Sequence, residues 1–283
     1  STKATSGING AATRAQSAQG VEDSQKLFEE DIVRGGTGQY TGPLPDSWPL
    51  ANTLAVDSTA AIHWLIDQFK LELDVVSRLG GHTAQRTHRK KAGGKFPGFM
   101  ITYALMQEYE KNCDMNDGRA RAINKARANK LIQDANGEVI GVEYLDLKTG
   151  ETKREMGNVV IATGGFAAGG LESDSLLSKI RPDLMHYPTT NGTHCTGDGI
   201  DLAIKAGGVG VGLEDVQIHP TGLVNPSMPD SRVLFLAAEA LRGEGGIILD
   251  RNGKRFCNDL GTRDYVSGCM NKHAQGPYRL VLN

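Results

Sequence analysis

Apolar residues recur at helical spacing in two stretches of the chain. "DSTAAIHWLIDQF" (57–69) sets Ala61, Leu65 and Phe69 in one row with Ile62 and Ile66 alongside. That predicts a helix with one buried face and Asp57 or Ser58 as its N-cap. His63 and Trp64 flank the row, where packing is the simpler role for the imidazole. "GFMITYALMQEYEK" (98–111) predicts a second helix, with its aromatic and methionine stripe assigned to the core. From about 121 to 157 the period drops to two. "ANKLIQDANGEVIGVEYLDLKTGETKRE" alternates apolar and polar residues and turns at "NG" and "TG", which predicts hairpins. "GNVVIATGGFAAGG" then reads as a short strand breaking into glycines, with a short helix in "LESDSLLSKI". "TGDGIDLAIKAGG" reads as a turn in which Asp198 caps a helix ending at Gly207. "VQIHPTG" (216–222) is strand-like and delivers His219 just before a proline. "VLFL" leads into one helical turn, "AAEALRGEGG" (237–246), with Glu239 and Arg242 three apart on one side. The charge runs "HRKK" (88–91) and "KREM" (153–156) read as solvated faces, and residues 34–49 as a polar surface loop.

Composition changes this picture in a few places. The 283 residues suffice for one large domain or two smaller ones. A formal charge of −2 gives no reason to expect nucleic acid as a partner. Glycine is the deviation: 36 residues, several of them in pairs and without a period, which points to tight turns and close backbone approach to a ligand. Cys113, Cys195, Cys257 and Cys269 form no CxxC pair and no metal spacing, so free thiols in a reducing intracellular compartment are expected, with no metal site. No apolar run approaches the roughly 18 residues of a membrane span, so a soluble protein is expected. The first residues, "STKATSGING", lack a methionine and an apolar leader core, and "YRLVLN" stops inside a strand-like run. Both ends read as cuts in a longer protein.

Three features carry chemistry. A strand ending in "ATGGF" suits a phosphate or dinucleotide, because bare backbone N–H groups can approach the ligand. A full GxGxxG fingerprint occurs nowhere in the chain, which argues against a complete nicotinamide-binding domain. "STKATSGINGAATRAQ" has the small residues of a loop lying along an extended anionic cofactor, with Lys3 near phosphate. Finally, a buried Glu239 between Arg242 and Arg263 would stay ionised and orient both guanidiniums. A structural ion-pair network is the alternative for that trio, and backbone capping is the alternative for His219.

Taken in order, "STKATSGINGA", "EDSQKLFEED", "LGGHTAQRTHR", "VVIATGGF", "TTNGTHCTGDG", "QIHPTG", "AAEALRGEGGIILDRNGKRFCND" and "TRD" resemble the soluble FAD-dependent fumarate reductases. The forms "SGINGA" and "LGGHTAQRTHR" are more similar to the yeast and trypanosomatid enzymes than to the haem-bearing flavocytochrome c type. The resemblance implies an α/β fold: an FAD-binding, glutathione-reductase-like domain with a β-sheet insert, over residues 1–211. It is followed by a truncated α+β clamp (capping) domain over 212–283. It implies reduction of fumarate to succinate, with hydride from the flavin N5 and a proton from Arg263, which Glu239 and Arg242 resupply from solvent. His219 and Gly7 take substrate-binding positions. Ser1, Lys3, Ala4, Thr5, Ser6, Gly7, Thr163, Gly164 and Asp198 take positions that bind FAD, non-covalently because no flavin-linking His motif is present. A proton-donating arginine asks for burial and a second guanidinium nearby, since both disfavour its charged form.

The chain departs from the family at Ala238, where bacterial members have a hydroxyl that reaches a substrate carboxylate. The dinucleotide loop is expected upstream of Ser1, and a second substrate His and a carboxylate-binding Arg downstream of Asn283. The chain alone is therefore expected to be inactive. Related readings are another 2-enoate reductase, such as urocanate reductase, and a non-catalytic fragment. NADH, reduced flavin or a haem domain would each be read by segments outside this chain. Cytosol, mitochondrion and glycosome all remain open as compartments.

Overall fold

In the computed structural model, residues 4–36, 49–91, 95–115 and 117–282 are described. They form two compact units: Ser1–Asp114 with Gln217–Leu223 and Leu236–Asn283, and Met115–Val216 with Val224–Phe235. The expected boundary at 211/212 separates flavin-binding from clamp segments, which is a different distinction.

In the first unit the long helix runs Pro49–Phe69, eight residues earlier than the apolar row predicts. Proline suits the first helical position, where its missing N–H costs nothing. The buried stripe is Ala51, Ala55, Ser58, Ile62 and Leu65, so Asp57 and Ser58 lie inside the helix, and Ala61 faces outward. Ser58 is tolerated in that stripe because its hydroxyl donates to the Ala55 carbonyl at 2.8 Å and accepts from the Ala11 N–H at 3.1 Å. His63 accepts from the Arg14 N–H at 3.2 Å, a packing role. The second expected helix runs Pro97–Asp114. Met100, Ile101, Ala104 and Leu105 pack against a core of Leu65, Leu71 and Leu73, whereas Tyr103, Met106 and Tyr109 are exposed. The aromatic stripe is thus an outer face, and the aliphatic row beside it is the core.

A three-stranded antiparallel sheet stands at the centre of this unit, with Thr87–Arg89 between Ile8–Asn9 and Val75–Ser77. This corrects the solvated reading of "HRKK" at its first residue, while Lys91 is exposed as expected. His88 lies on the middle strand and is fully buried, with Nε2 2.7 Å from Thr13 Oγ1 and Nδ1 2.9 Å from the Arg86 carbonyl. Thr13 and Gln16 form a capping box that starts the helix Arg14–Ala18. Arg86, just before the strand, is also fully buried and paired with Asp23 and Asp31.

The second unit carries the expected hairpins as an antiparallel meander of Ala126–Gln133, Val139–Asp146 and Thr152–Met156. Gly137 and Gly150 take φ of +85° and +77° in its turns, as "NG" and "TG" require. The strand expected at 159–161 has no ladder partner among the described residues, and Val160 is 89% exposed. Ser175 caps the short helix Leu176–Ile180. The helix at 198 runs Asp198–Lys205, with Gly197 at φ +86° in the cap position. Asp198 is therefore the first helical residue and not the cap, and it accepts a bond from Thr196 Oγ1 at 2.6 Å. Gly207 ends the helix at φ +92°, as expected. No helix of the described residues is long and apolar enough to cross a membrane. The four cysteines are free thiols. The polar stretch 34–49 includes the end of helix Gln25–Gly36 and the first residue of Pro49–Phe69, and its remainder lies outside the described residues.

Candidate active site

The site is built from two short helix starts in the first unit. Glu239 occupies the N-cap position of the one-turn helix Ala240–Gly243, which also holds Arg242. Arg263 is the first residue of helix Arg263–His273, capped by Thr262, whose side chain accepts the Tyr265 N–H at 3.3 Å. A cation at a helix N-terminus meets the positive end of the dipole, an unfavourable place unless an anion answers it. Glu239 answers it: its Oε2 lies 2.6 Å from Arg263 Nε and its Oε1 3.1 Å from Arg242 Nη2. Arg263 Nη1 also donates to Gln217 Oε1 at 2.9 Å.

The two arginines differ in setting. Arg242 is 1% exposed and donates through Nη1 to the carbonyls of Asp259 and Gly261, while its Nε is buried without a partner. Burial, and then Arg263 close by, push its guanidinium below the usual arginine range, against the opposing charge of Glu239. The Arg263 side chain is 37% exposed. The burial foreseen around the proton donor is thus found at Arg242, while Arg263 faces a cavity of about 410 Å³.

His219 precedes a proline that has no N–H, and the next N–H, that of Thr221, turns back to donate to His219 Nδ1 at 3.2 Å. With those two donors unavailable to a ladder, the strand expected over 216–222 reduces to Gly222–Leu223. The same bond fixes the imidazole tautomer, leaving Nε2–H as a donor. Burial, followed by Arg263, pulls His219 down to about 4, so the ring is neutral at neutral pH. A neutral imidazole with a fixed N–H is suited to donate to a carboxylate.

The loop before this constellation touches it: Ser6 Oγ accepts the Ala240 N–H at 3.3 Å. Gly7 sits at φ +145°, and a Cβ there would lie 2.3 Å from the His88 carbonyl oxygen. Glu239, Arg242 and Arg263 are therefore joined by direct contacts, and Ser6 touches the same helix start through Ala240. In the second unit, Thr163 and Gly164 line a cavity of about 310 Å³. Gly164 takes φ +79°, and a Cβ on it or on Gly165 would meet open space, so the peptide edge is free to meet a ligand. A Cβ on Gly199 would lie 2.1 Å from Thr163 Oγ1, so glycine lets the first turn of Asp198–Lys205 sit on that segment. A bare-backbone turn against a helix N-terminus fits the phosphates of FAD. Ala4 and Thr5 are exposed and half-buried, also open to a ligand. Ser1 and Lys3 lie outside the described residues. Gln217, Thr221 and His82, all at this site, were not singled out by the sequence reading; a threonine two residues after His219 is the one local signal that could have found Thr221.

The profile of the FAD binding domain family matches residues 1–280. The chain belongs to the FAD binding domain family. It is 42% identical to a fumarate reductase of Schizosaccharomyces pombe, over 100% of this chain and 54% of that protein. It is 40% identical to fumarate reductase 1 of Saccharomyces cerevisiae, over 96% of this chain and 56% of that protein. Among solved structures it is similar to the open conformation of a flavocytochrome c3 fumarate reductase, at a TM-score of 0.71 and 27% identity, over 95% of this chain and 43% of that one. The chain spans about half the length of these relatives. The mixed helix and sheet architecture is that of an FAD-binding fold, with FAD as its cofactor.

Proposed function

We propose that this chain is the flavin-side portion of an enzyme that reduces fumarate to succinate. The observation that carries the reading is the clasp of Glu239 between Arg242 and Arg263, with Arg263 at a cavity and a neutral His219 nearby. The yeast relatives named as fumarate reductases support it. Bound FAD supplies hydride chemistry to the substrate carbon. His219 donates its Nε2–H to a substrate carboxylate, and Gly7 gives the substrate close access to backbone. Arg263 gives a proton to the carbon adjacent to the one that receives hydride, and Glu239 returns one to Arg263, with Arg242 holding Glu239 in place. Ala4, Thr5, Ser6 and Gly7 in one unit, and Thr163, Gly164 and Asp198 in the other, are the proposed flavin contacts, with Ser1 and Lys3 at the chain start. Residues 1–211 are proposed as the flavin-binding segment and 212–283 as the clamp. The flavin is held non-covalently: acid precipitation should leave it in the supernatant, and flavin on the pellet would refute this.

The test is single-turnover reoxidation of the pre-reduced full-length protein by fumarate. Arg263→Ala and Arg263→Lys should each slow it by roughly 10²–10⁴-fold or more with the flavin still bound. Lysine keeps the charge but not the planar fork, so it rescues little. Glu239→Gln should slow it less. Near-wild-type reoxidation in Arg263→Lys, with Glu239→Gln inert, would move the donor away from Arg263.

A further inference from the structure

One wall of the 410 Å³ cavity is left unused by this chemistry. It includes Asp31 from helix Gln25–Gly36 and His82 from the turn that follows Val75–Ser77, alongside Glu239 and Arg263. The turn is pressed onto the ion pair: a Cβ on Gly80 would lie 3.0 Å from Glu239 Oε1 and 2.5 Å from the Gly261 carbonyl oxygen. Gly81 N–H donates to the Leu260 carbonyl at 2.8 Å, fixing the turn against the loop that leads to Arg263. Two residues past Gly80, the His82 ring reaches the cavity with a buried Nδ1 that has no protein partner. Such an atom is costly in a packed interior, and the cavity beside it, lined also by Asp31, Glu239 and Arg263, has room for water.

Arg242, by contrast, gives Glu239 no way out. Its side chain is fully buried and its Nη groups are committed to Glu239 and to two backbone carbonyls. Glu239 lines the cavity with 4% of its side chain exposed, so the cavity is the side from which a proton can reach it.

We propose that His82 is a positioning residue for proton delivery, its ring passing protons from solvent at the cavity to the Glu239 carboxylate through cavity water. The inference rests on the reading of Arg263 as donor. Each turnover takes one proton from Arg263; Glu239 returns one to Arg263, His82 returns one to Glu239, and solvent returns one to His82. No electrons move in these steps. The charged groups acting on His82 are Arg86, Asp31, Asp23 and Glu239. Burial, with Arg86 second, holds the imidazole below its ordinary range against the three carboxylates. The neutral ring accepts at one nitrogen and donates at the other, which is what a relay needs.

Two measurements test this. In the full-length flavin-loaded protein, His82→Gln keeps size and polarity but cannot carry a proton through. Single-turnover reoxidation should slow on the order of 100-fold, with KM for fumarate unchanged and a larger solvent deuterium isotope effect. Free imidazole should restore rate to His82→Ala. Reoxidation within about twofold of wild type, or no imidazole rescue, overturns the proposal. If wild-type protein fails to reduce fumarate, the reading of function falls, and the second measurement judges His82 by itself. In the full-length flavin-loaded protein, ring-nitrogen NMR follows the titration of His82. Glu239→Gln removes a carboxylate that raises it, so the titration should move to lower pH; an unmoved curve overturns the coupling.

Discussion

Arg86→Met keeps an apolar stem and removes a guanidinium from a fully buried place. Three bonds to carboxylates are lost, Nε to Asp23 Oδ2 at 3.0 Å, Nη2 to Asp23 Oδ1 at 2.8 Å and Nη1 to Asp31 Oδ2 at 2.7 Å, with a longer one from Nη2 to Thr83 Oγ1 at 3.5 Å. The two carboxylates suffer unequally. Asp31 keeps the Thr83 N–H and hydroxyl, both at 2.8 Å, and the Arg34 guanidinium at 2.8 Å. Asp23, with a side chain 0% exposed, keeps Gln16 and the Ser24 N–H but no cation. Removing one partner of a buried pair costs about 3–5 kcal/mol. The guanidinium also lies 4.7 Å over the Phe28 ring, a contact worth about 1 kcal/mol. The expected loss is therefore about 4–6 kcal/mol, a large share of the roughly 5–15 kcal/mol that a domain has. Urea unfolding followed by circular dichroism measures it. Adding Asp23→Asn should recover part of the loss, because it removes the stranded charge. A loss below about 1 kcal/mol in Arg86→Met, or no recovery in the double variant, would refute the account of this network.

Gly80→Ala should lower stability by about 1–3 kcal/mol through overpacking against Gly261 and Glu239; an unchanged thermal midpoint would mean that the turn yields freely. For His219 the folded-state value of about 4 lies below the ordinary 6.5, so the native state binds fewer protons. Its contribution to stability is full above pH 6.5 and is lost as pH falls toward about 4. Denaturant midpoints of the wild type should fall more steeply across that window than those of His219→Gln, and parallel curves would contradict this. KM for fumarate should likewise show no inflection near 6.5 that His219→Gln removes.

What the sequence disclosed follows from distance along the chain. The meander was legible because each turn is made by adjacent residues, and Gly137 and Gly150 mark the sites where only a positive φ closes it. Glu239 and Arg242 were legible for the same reason, being three apart on one turn. The burial of Arg86 and His88 was hidden, because a charge run reads as surface until Asp23, Asp31 and Thr13 are known to surround it. Those partners lie 63, 55 and 75 residues away. The apolar run at 159–161 reads as a strand, yet a ladder needs a neighbour that periodicity does not name. Arg263 was grouped with Glu239 as a possible ion pair, but its donor role came from the family resemblance, since nothing local links it to a carboxylate 24 residues earlier. His82 was missed because its neighbours in the cavity come from six separate stretches.

The Ser6–Ala240 bond joins residues 234 positions apart, whereas the meander completes every ladder contact within 126–156. Loop closure and contact order make the second far quicker to form. During synthesis the meander can assemble once its own residues have left the ribosome. Asp23 and Arg86 have both emerged before then, but the clasp around Glu239 must wait for Arg263. Chain order thus delays this clasp well past the meander, and a translation pause before residue 263 would leave Glu239 without one of its two cations while the meander is already folded.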